Sequence, residues 1–308
     1  MENTRAKTTR NSLILLLTAT IWGMAFVSQS KGMDYMHPFT FNGVRSLIGA
    51  AGILVYILIS RKIAGDKAAK LDWKLNVKAG LLCGIFLTIA STLQQFGIKY
   101  TSVGKAGFIT TLYIIFVPMF GIFLKKKVAP VVWAAAGMAA VGMYLLCMTE
   151  SLRLGAGDIM VFLCAIAFAI QIMTVDHYAA RIDGAVVSCI QFTVCGVVCC
   201  IGALIWGQPT FGQLQEGLGA LLYAGVLSCG VGYTLQIVGQ KGLNPTVAAL
   251  IMSLESVIAT ISGWIAYKIG FLSTDQTLTP RQIVGCVIVF AAVILVQLPP
   301  EWFRFGKK

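Results

Sequence analysis

The chain has 308 residues, of which 57% are hydrophobic and only 12% are charged, and its mean hydropathy is +0.82. Soluble globular proteins are about 45–50% apolar and about 25% charged. A single soluble core also stops growing near about 250–300 residues. The composition therefore excludes a water-soluble enzyme, and it equally excludes a disordered or fibrous chain.

Ten apolar segments follow one another, each long enough to supply the roughly 20 helical residues that a bilayer core of about 30 Å requires. They are 12–30, 39–60, 76–97, 103–124, 128–148, 157–176, 184–206, 217–239, 245–267 and 281–298. The first follows a basic start, as in a signal peptide, but we expect it to be a retained helix. The tenth ends at Pro299-Pro300, where a helix cannot continue. The sequence therefore predicts an all-α membrane protein with ten transmembrane helices.

Lys and Arg are unevenly distributed between the two sides of this predicted bundle. If the N-terminus is cytoplasmic, the cytoplasmic segments hold 17 of the 24 Lys and Arg residues, the opposite side holds 6, and Arg45 lies inside a span. Cytoplasmic loops of membrane proteins are enriched in these residues. We therefore expect a multi-pass protein of the cytoplasmic membrane with both termini inside. The net charge of +12 then reflects topology and does not indicate a nucleic-acid partner.

The two halves of the chain are related by an internal duplication. Residues 92–99 (TLQQFGIK) align with residues 234–241 (TLQIVGQK) at an offset of 142, and five of the eight positions are identical. Each unit contains five spans, an odd number, so the second unit enters the membrane with the opposite orientation. We therefore expect two inverted five-helix repeats, residues 1–150 and 151–308. In many secondary transporters such repeats enclose a substrate site near the bilayer midplane.

Residues at particular places in this pattern resemble those of a known family. They are Trp22-Gly23, Phe26, Pro38, Arg45, Tyr100-Thr101, Pro118 and Ser253-Leu254-Glu255. With them, nearly the whole chain resembles the drug/metabolite transporter superfamily, of the ten-helix type with two EamA domains. The chain departs from the family pattern at Ser256, where the family commonly has Pro. The resemblance implies an inner-membrane carrier, often an exporter of amino acids, other metabolites or drugs.

Two strongly ionisable residues lie well inside the predicted spans, where a charge normally faces the bundle interior. They are Arg45 in the second span and Glu255 in the ninth. The duplication pairs Glu255 with Tyr113, and we expect these two to approach a central cavity from opposite units. Glu255 is interpreted as a substrate ligand or proton site, or equally as a structural carboxyl. Arg45 is a bridging residue or a ligand for a substrate carboxylate, and Arg45 with Glu255 is also a candidate gating ion pair.

Amide and aromatic side chains supply the remaining candidates for substrate contact. An amide within a span needs a hydrogen-bond partner, and the duplication predicts that Gln94 and Gln236 face each other. Interhelical hydrogen bonding is the alternative role of these amides. Trp22 shares one helix face with Phe26 and Gln29. The complete set of candidate substrate-binding residues is Trp22, Gln94, Gln95, Tyr113, Gln171, Gln236 and Glu255.

The sequence does not indicate a metal site, a cofactor or a catalytic cluster. All nine cysteines lie in apolar spans, and no pair of them has Cys-x-x-Cys spacing. The two histidines, His37 and His177, lie at opposite span ends, and we expect His37 to be solvated in its loop.

Taken together, these features favour a secondary transporter, not an enzyme, that moves small metabolites such as amino acids by alternating access, with export favoured by the resemblance. A multidrug efflux carrier is the alternative within this class. A polytopic membrane enzyme and a passive channel are the alternatives from other classes. The expected partners are a small-molecule substrate, the lipid bilayer and protons, and the chain is expected to be a monomer or homodimer.

Overall fold

The computed structural model describes residues 2–65, 71–124, 130–147, 155–273 and 275–297. Within these ranges all of the regular secondary structure is helical. By length and composition, eight helices in this part of the chain can cross a membrane, and two shorter apolar helices, 130–142 and 280–295, accompany them. The protein is therefore a multi-pass helical membrane protein.

The helices of the described ranges are α-helical except for two π-helical segments, π1 and π2, each of which continues a preceding α-helix. In chain order they are α1 (Glu2–Gly32), α2 (Pro38–Ala64), α3 (Trp73–Ile98), α4 (Val103–Thr111), α5 (Tyr113–Phe123), α6 (Pro130–Cys147), α7 (Ala156–Tyr178), α8 (Gly184–Gly202), π1 (Ala203–Gly207), α9 (Phe211–Glu216), α10 (Leu218–Leu222), π2 (Tyr223–Gly232), α11 (Tyr233–Gln240), α12 (Pro245–Met252), α13 (Leu254–Lys268) and α14 (Pro280–Gln297).

Eight of the ten predicted spans coincide with the eight long apolar helices, so those eight predictions are confirmed. The other two, 128–148 and 281–298, overlap the shorter helices α6 and α14. Residues 128, 129 and 148 of the first and residue 298 of the second lie outside the described residues. The predicted boundary between the repeats, at residues 150 and 151, also lies outside the described residues.

Two of the spans are interrupted near their middle by a single residue, which keeps right-handed helical backbone angles. Leu112 separates α4 from α5, and Ser253 separates α12 from α13. At these joints the amides of Leu112 and Ser256 donate to carbonyls three residues back, those of Ile109 and Ser253, at 3.2 and 3.1 Å. The Ser253 hydroxyl donates to the carbonyl of Leu250 at 2.7 Å. Irregular backbone at membrane depth is tolerated only where protein buries it or a cavity adjoins it.

Polar residues outside the spans determine where several helices begin. A side-chain oxygen at the N-cap accepts an amide hydrogen that the first helical turn cannot satisfy. The residues that do so here are Asp72, Ser102, Asp183, Thr210 and Asn244. Each lies in a short polar stretch between apolar segments. Four of them mark the start of a span, and Thr210 marks the start of the short helix α9 that precedes one.

His37 caps α2 with its imidazole. Its Nδ1 accepts from the amide of Phe39 at 3.4 Å, and its ring lies edge-on to Phe96 at 5.5 Å. His37 is therefore partly buried, and the expectation that it is solvated is wrong in that respect. Burial, with the positive charge of Lys99, lowers the pKa of His37 below its usual 6.5.

The bundle exposes many large apolar side chains. Leu13, Val55, Leu58 and Val287 are between 54% and 63% exposed, and many others on the outer helix faces are similar. Soluble monomers rarely expose contiguous apolar patches larger than about 300–600 Å². This surface is suited to lipid, whereas most of the amides and hydroxyls in the described spans are buried.

The helices pack in pairs, α2 against α8, α3 against α7 and α8, α1 against α13 and α11, and α6 against α14. Small residues allow the closest of these approaches. A Cβ atom at Gly97 of α3 would lie 2.8 Å from the carbonyl oxygen of Gly157 in α7. The backbones of α3 and α7 therefore approach to a distance that only glycine permits.

Candidate functional site

A buried cavity lies where α1, α2, α3, the two broken spans, α7, α8, π2 and α11 meet. Its volume is about 30 Å³, and a water molecule needs about 10–15 Å³ on this measure. The cavity is therefore small and holds no more than a few water molecules. Its lining residues are Trp22, Ala25, Phe26, Gln29, Arg45, Ser46, Leu87, Ser91, Gln94, Thr110, Tyr113, Phe168, Ile172, Phe192, Ser228, Cys229, Tyr233, Gln236 and Glu255.

The carboxyl group of Glu255 meets the phenol of Tyr113 in this cavity. The Tyr113 hydroxyl donates to Glu255 Oε1 at 2.9 Å, and the two residues are 4% or less exposed. Each lies within two residues of a helix joint, Tyr113 at the start of α5 and Glu255 at the start of α13. The predicted approach of these duplication equivalents is confirmed.

Arg45 is buried on α2 and is held by neutral groups. Its Nε donates to Asn42 Oδ1 at 2.9 Å, and its guanidinium lies 5.3 Å from the ring centre of Phe41. Asn42 in turn donates to the hydroxyl of Ser91 on α3 at 3.3 Å. Both ion pairs found among the described residues involve other side chains. Arg45 and Glu255 thus line the same cavity without forming the ion pair that a gate would need in this conformation.

Some of the predicted glutamines line the cavity, and others lie outside it and bond to residues of its wall. Gln94 and Gln236 line the cavity, but each bonds to a different partner. Gln94 donates to Thr110 Oγ1 at 3.2 Å, while Gln236 and Gln171 exchange amide hydrogen bonds at 3.2 and 3.4 Å. Gln171 does not line the cavity. Its role is to hold Gln236 in position through these two hydrogen bonds.

Two polar atoms in the cavity wall have no hydrogen-bond partner among the described residues. They are the indole nitrogen of Trp22, a donor, and the side-chain oxygen of Gln29, an acceptor. Gln95 is outside the lining and donates to the backbone oxygen of Gln29 at 3.2 Å. Buried polar groups are nearly always satisfied, so the atoms of Trp22 and Gln29 indicate room for a polar ligand group or water.

Aromatic residues that the sequence analysis did not select complete the wall. The ring of Tyr233 lies 4.5 Å from Trp22 and 5.0 Å from Phe192. Phe168 also lines the cavity. Phe168 could have been predicted from the duplication, because it lies 142 residues after Phe26. No comparable pattern in the sequence indicates Phe192.

A second charged cluster lies outside the cavity, between the starts of α4 and α7. Lys105 Nζ is 2.6 Å from Asp158 Oδ2, and the hydroxyl of Thr101 and the amide of Gly155 donate to the same carboxylate. Within the described residues, no group of three or more His, Cys, Asp or Glu side chains could hold a metal ion.

The sequence profile of the EamA-like transporter family matches residues 10–148 and 155–298. The chain belongs to the EamA-like transporter family. An uncharacterized transporter of Archaeoglobus fulgidus is 28% identical over 290 residues, which cover 92% of this chain and 84% of that protein. The uncharacterized transporter YwfM of Bacillus subtilis is 24% identical over 94% of both chains.

A solved crystal structure shares the fold of this EamA-like chain. Its TM-score is 0.74 at 16% identity, and the match covers 96% of this chain and 99% of the other. The family and the names of the relatives indicate a membrane transporter rather than an enzyme.

Proposed function

We propose that this EamA-like protein is a secondary transporter that moves a small amphipathic metabolite carrying both charges, such as an amino acid, across the cytoplasmic membrane by alternating access. The observation that carries the proposal is that Arg45 and Glu255 line one buried cavity without pairing with each other. Export is proposed from the family resemblance, and cytoplasmic termini are proposed from the distribution of Lys and Arg.

The proposal includes ten membrane-spanning helices in two inverted five-helix repeats, with α6 and α14 as the fifth and tenth. Residues 142 apart recur as five pairs in the cavity wall. These pairs are Phe26 and Phe168, Leu87 and Cys229, Ser91 and Tyr233, Gln94 and Gln236, and Tyr113 and Glu255. Because five pairs of residues with the same separation line one small cavity, they support two related units that share a site.

The helix packing supports the same relation. Under the offset, α1 corresponds to α7, and α3 corresponds to π2 with α11. The packing of α3 on α7 is then the counterpart of the packing of α1 on π2 and α11, and both are observed. Such an exchange of partners is expected when two units are related by an axis in the membrane plane.

The charges in the cavity favour a substrate that carries both signs. A buried charge without a counter-ion costs several kcal/mol, of order 3–5, when its partner is missing. A guanidinium binds a carboxylate with two parallel hydrogen bonds, and a carboxylate binds an ammonium group. A zwitterion would therefore supply counter-ions to Arg45 and Glu255 at once, and the free atoms of Trp22 and Gln29 would add neutral hydrogen bonds.

The size of the cavity supports alternating access over a passive channel. Sites for small molecules usually measure about 300–1,000 Å³, whereas this cavity measures about 30 Å³. Substrate entry therefore requires the helices around the cavity to separate. The joints at Leu112 and Ser253 lie beside Tyr113 and Glu255, where such a movement would change the cavity directly.

A second candidate, a multidrug efflux carrier, is favoured by the aromatic share of the wall. Six aromatic side chains face the cavity, compared with three glutamines. Aromatic faces bind large apolar and cationic compounds, and a carboxyl such as Glu255 would attract an organic cation. This candidate requires no role for Arg45 in binding.

The test is uptake and exchange by the purified protein in liposomes, with amino acids and cationic dyes supplied with and without a pH gradient. We expect exchange of an amino acid, and we expect Arg45→Gln and Glu255→Gln each to abolish it. Glu216→Gln and Lys268→Gln are matched controls, because they remove the same charges from exposed positions.

Full amino-acid exchange by the two cavity variants would contradict the proposal. Transport of dyes that survives Arg45→Gln but not Glu255→Gln would select the multidrug carrier. A flux that shows no saturation and no exchange would select a channel.

A further inference from the structure

Two adjoining cavities open on the side of the bundle, at the end where α1 begins. The first, about 630 Å³, lies between the end of α2, the start of α3, the α7–α8 connection and α11. The second, about 420 Å³, runs between α2 on one side and π2 with α11 on the other. Tyr56, Thr234 and Val238 line both. The two cavities are therefore parts of one cleft.

The outer part of the cleft is basic. Arg61, Arg181 and Lys241 reach it from three separate elements. None of them forms a salt bridge with another described residue. Arg181 and Lys241 contact only backbone carbonyls at 3.5 and 3.2 Å. The arrangement leaves three cationic groups converging on one space without a counter-ion among the residues described.

The two carboxylates that border this part are already engaged. Asp72 accepts from the amide of Leu75 at 3.0 Å. Asp183 accepts from the amides of Ala185 and Val186 at 2.9 and 3.1 Å. Both act as helix caps, and neither forms an ion pair with Arg61, Arg181 or Lys241, so the three cations outnumber these carboxylates and have no ion-pair partner among the described residues.

The inner part of the cleft is apolar, with open space beside Gly52 and close packing of α2 on π2 at Gly49. Gly49 and Gly52 form its floor on α2, and Val226 and Val231 border it on π2. A Cβ atom at Gly52 would meet no atom within 4 Å. From Arg61 to Gly49 the helix rises about 18 Å at about 1.5 Å per residue, close to the thickness of one leaflet, about 15 Å.

We propose that this cleft binds an anionic phospholipid. Its phosphate lies among Arg61, Arg181 and Lys241, and one acyl chain follows the groove over Gly52 towards Gly49. A basic pocket between spans at the end of the bundle with the positive loops matches the leaflet that carries anionic lipid. The site is separate from the central cavity, and its test does not depend on the transported substrate.

The test is native mass spectrometry of the full-length protein in detergent, with equal amounts of phosphatidylglycerol and phosphatidylcholine added. We expect phosphatidylglycerol to be retained preferentially. Neutralising two cations, as in Arg61→Gln/Arg181→Gln, should weaken its retention roughly 25-fold, since each nearby cation changes anionic-lipid binding about fivefold. Lys62→Gln/Lys78→Gln is the matched control, because these exposed lysines lie near the cleft but do not line it.

The apolar part has its own pair of variants. Gly52→Phe should fill the groove and lower the retention of phosphatidylglycerol. Gly219→Phe is the control, because it also has open space and borders an apolar groove without cations between α1 and α13. Monodisperse elution of each variant checks that it folds.

Three results would overturn the proposal. One is equal retention of the two lipids by the unchanged protein. Another is an equal loss in the Lys62→Gln/Lys78→Gln control. The third is displacement of the lipid by millimolar inorganic phosphate or glycerol phosphate, which would identify a site for a free anion that makes no use of the groove.

Discussion

The hydroxyl of Tyr113 is the one hydrogen-bond donor that reaches the Glu255 carboxyl among the described residues, at 2.9 Å. Tyr113→Phe removes this donor and keeps the ring. A buried acceptor that loses its partner costs about 1–3 kcal/mol. Because Glu255 is only 4% exposed, water does not readily replace the donor. We therefore expect the free energy of unfolding to fall by about 1–3 kcal/mol in Tyr113→Phe.

The assay is SDS-induced unfolding in mixed micelles, measured for Tyr113→Phe alone and in the background of Glu255→Leu. The coupling between the two positions should be about 1–3 kcal/mol, well above the roughly 0.3–0.5 kcal/mol within which independent sites add. Tyr233→Phe is the matched control, because its ring lines the same cavity and makes no hydrogen bond to Glu255. A coupling within the additive range, or an equal loss in the control, would refute the reasoning.

Three further predictions concern packing and charge outside the cavity. Lys105→Met should lower the free energy of unfolding by about 1.5–3 kcal/mol, the value of a hydrogen bond to a charged group. Adding Asp158→Asn should restore part of this stability in thermal unfolding, and no recovery would contradict this account. Gly97→Ala should destabilise by about 1–3 kcal/mol through overpacking, whereas Gly137→Ala, which meets no atom within 4 Å, should leave the midpoint of thermal unfolding nearly unchanged. Since the pKa of His37 is lowered from 6.5, the unfolded chain binds the proton more tightly. The contribution of His37 to the free energy of unfolding should therefore be fully present above pH 6.5 and should fall as the pH decreases below it. His37→Asn, which keeps a neutral cap, should make this decrease smaller. An identical pH profile of stability in the variant would contradict the prediction.

Neutral side chains hold the buried guanidinium of Arg45 in place. Asn42 holds its Nε, and Ser91 holds Asn42, so a chain of hydrogen bonds links α2 to α3. The remaining nitrogens of the guanidinium are directed towards no carboxylate of the described residues. Neutral groups therefore set the position of Arg45, and its charge has no ion-pair partner among the described residues.

Much of the architecture is predictable because a membrane helix is specified locally. A run of about 20 apolar residues must form internal hydrogen bonds in lipid, so eight spans follow from hydropathy alone. The duplication also predicts one long-range contact. Its offset of 142 pairs Tyr113 with Glu255, and the two side chains meet in the cavity. The N-caps are local as well, and Asp72 and Asp183 lie directly before the helices that they begin.

The partners of the polar side chains were not predictable in the same way. Gln95 and Gln171 were selected, like Gln94 and Gln236, as amides within apolar spans, yet they lie outside the cavity lining and bond to residues that form it. The predicted Arg45–Glu255 pair is absent from the ion pairs of the described residues, and the neighbour that bonds Arg45 is Asn42, one turn away on α2.

The sequence by itself determined that the chain is a bundle of membrane helices and that its two halves are related. Tertiary structure alone decided which amides face the cavity, where α4 ends and α5 begins, where α12 ends and α13 begins, and how small the space between them is. The physical reason is that hydropathy acts on each segment separately, whereas a buried polar group is satisfied by whichever neighbour the packing of several helices brings within about 3 Å.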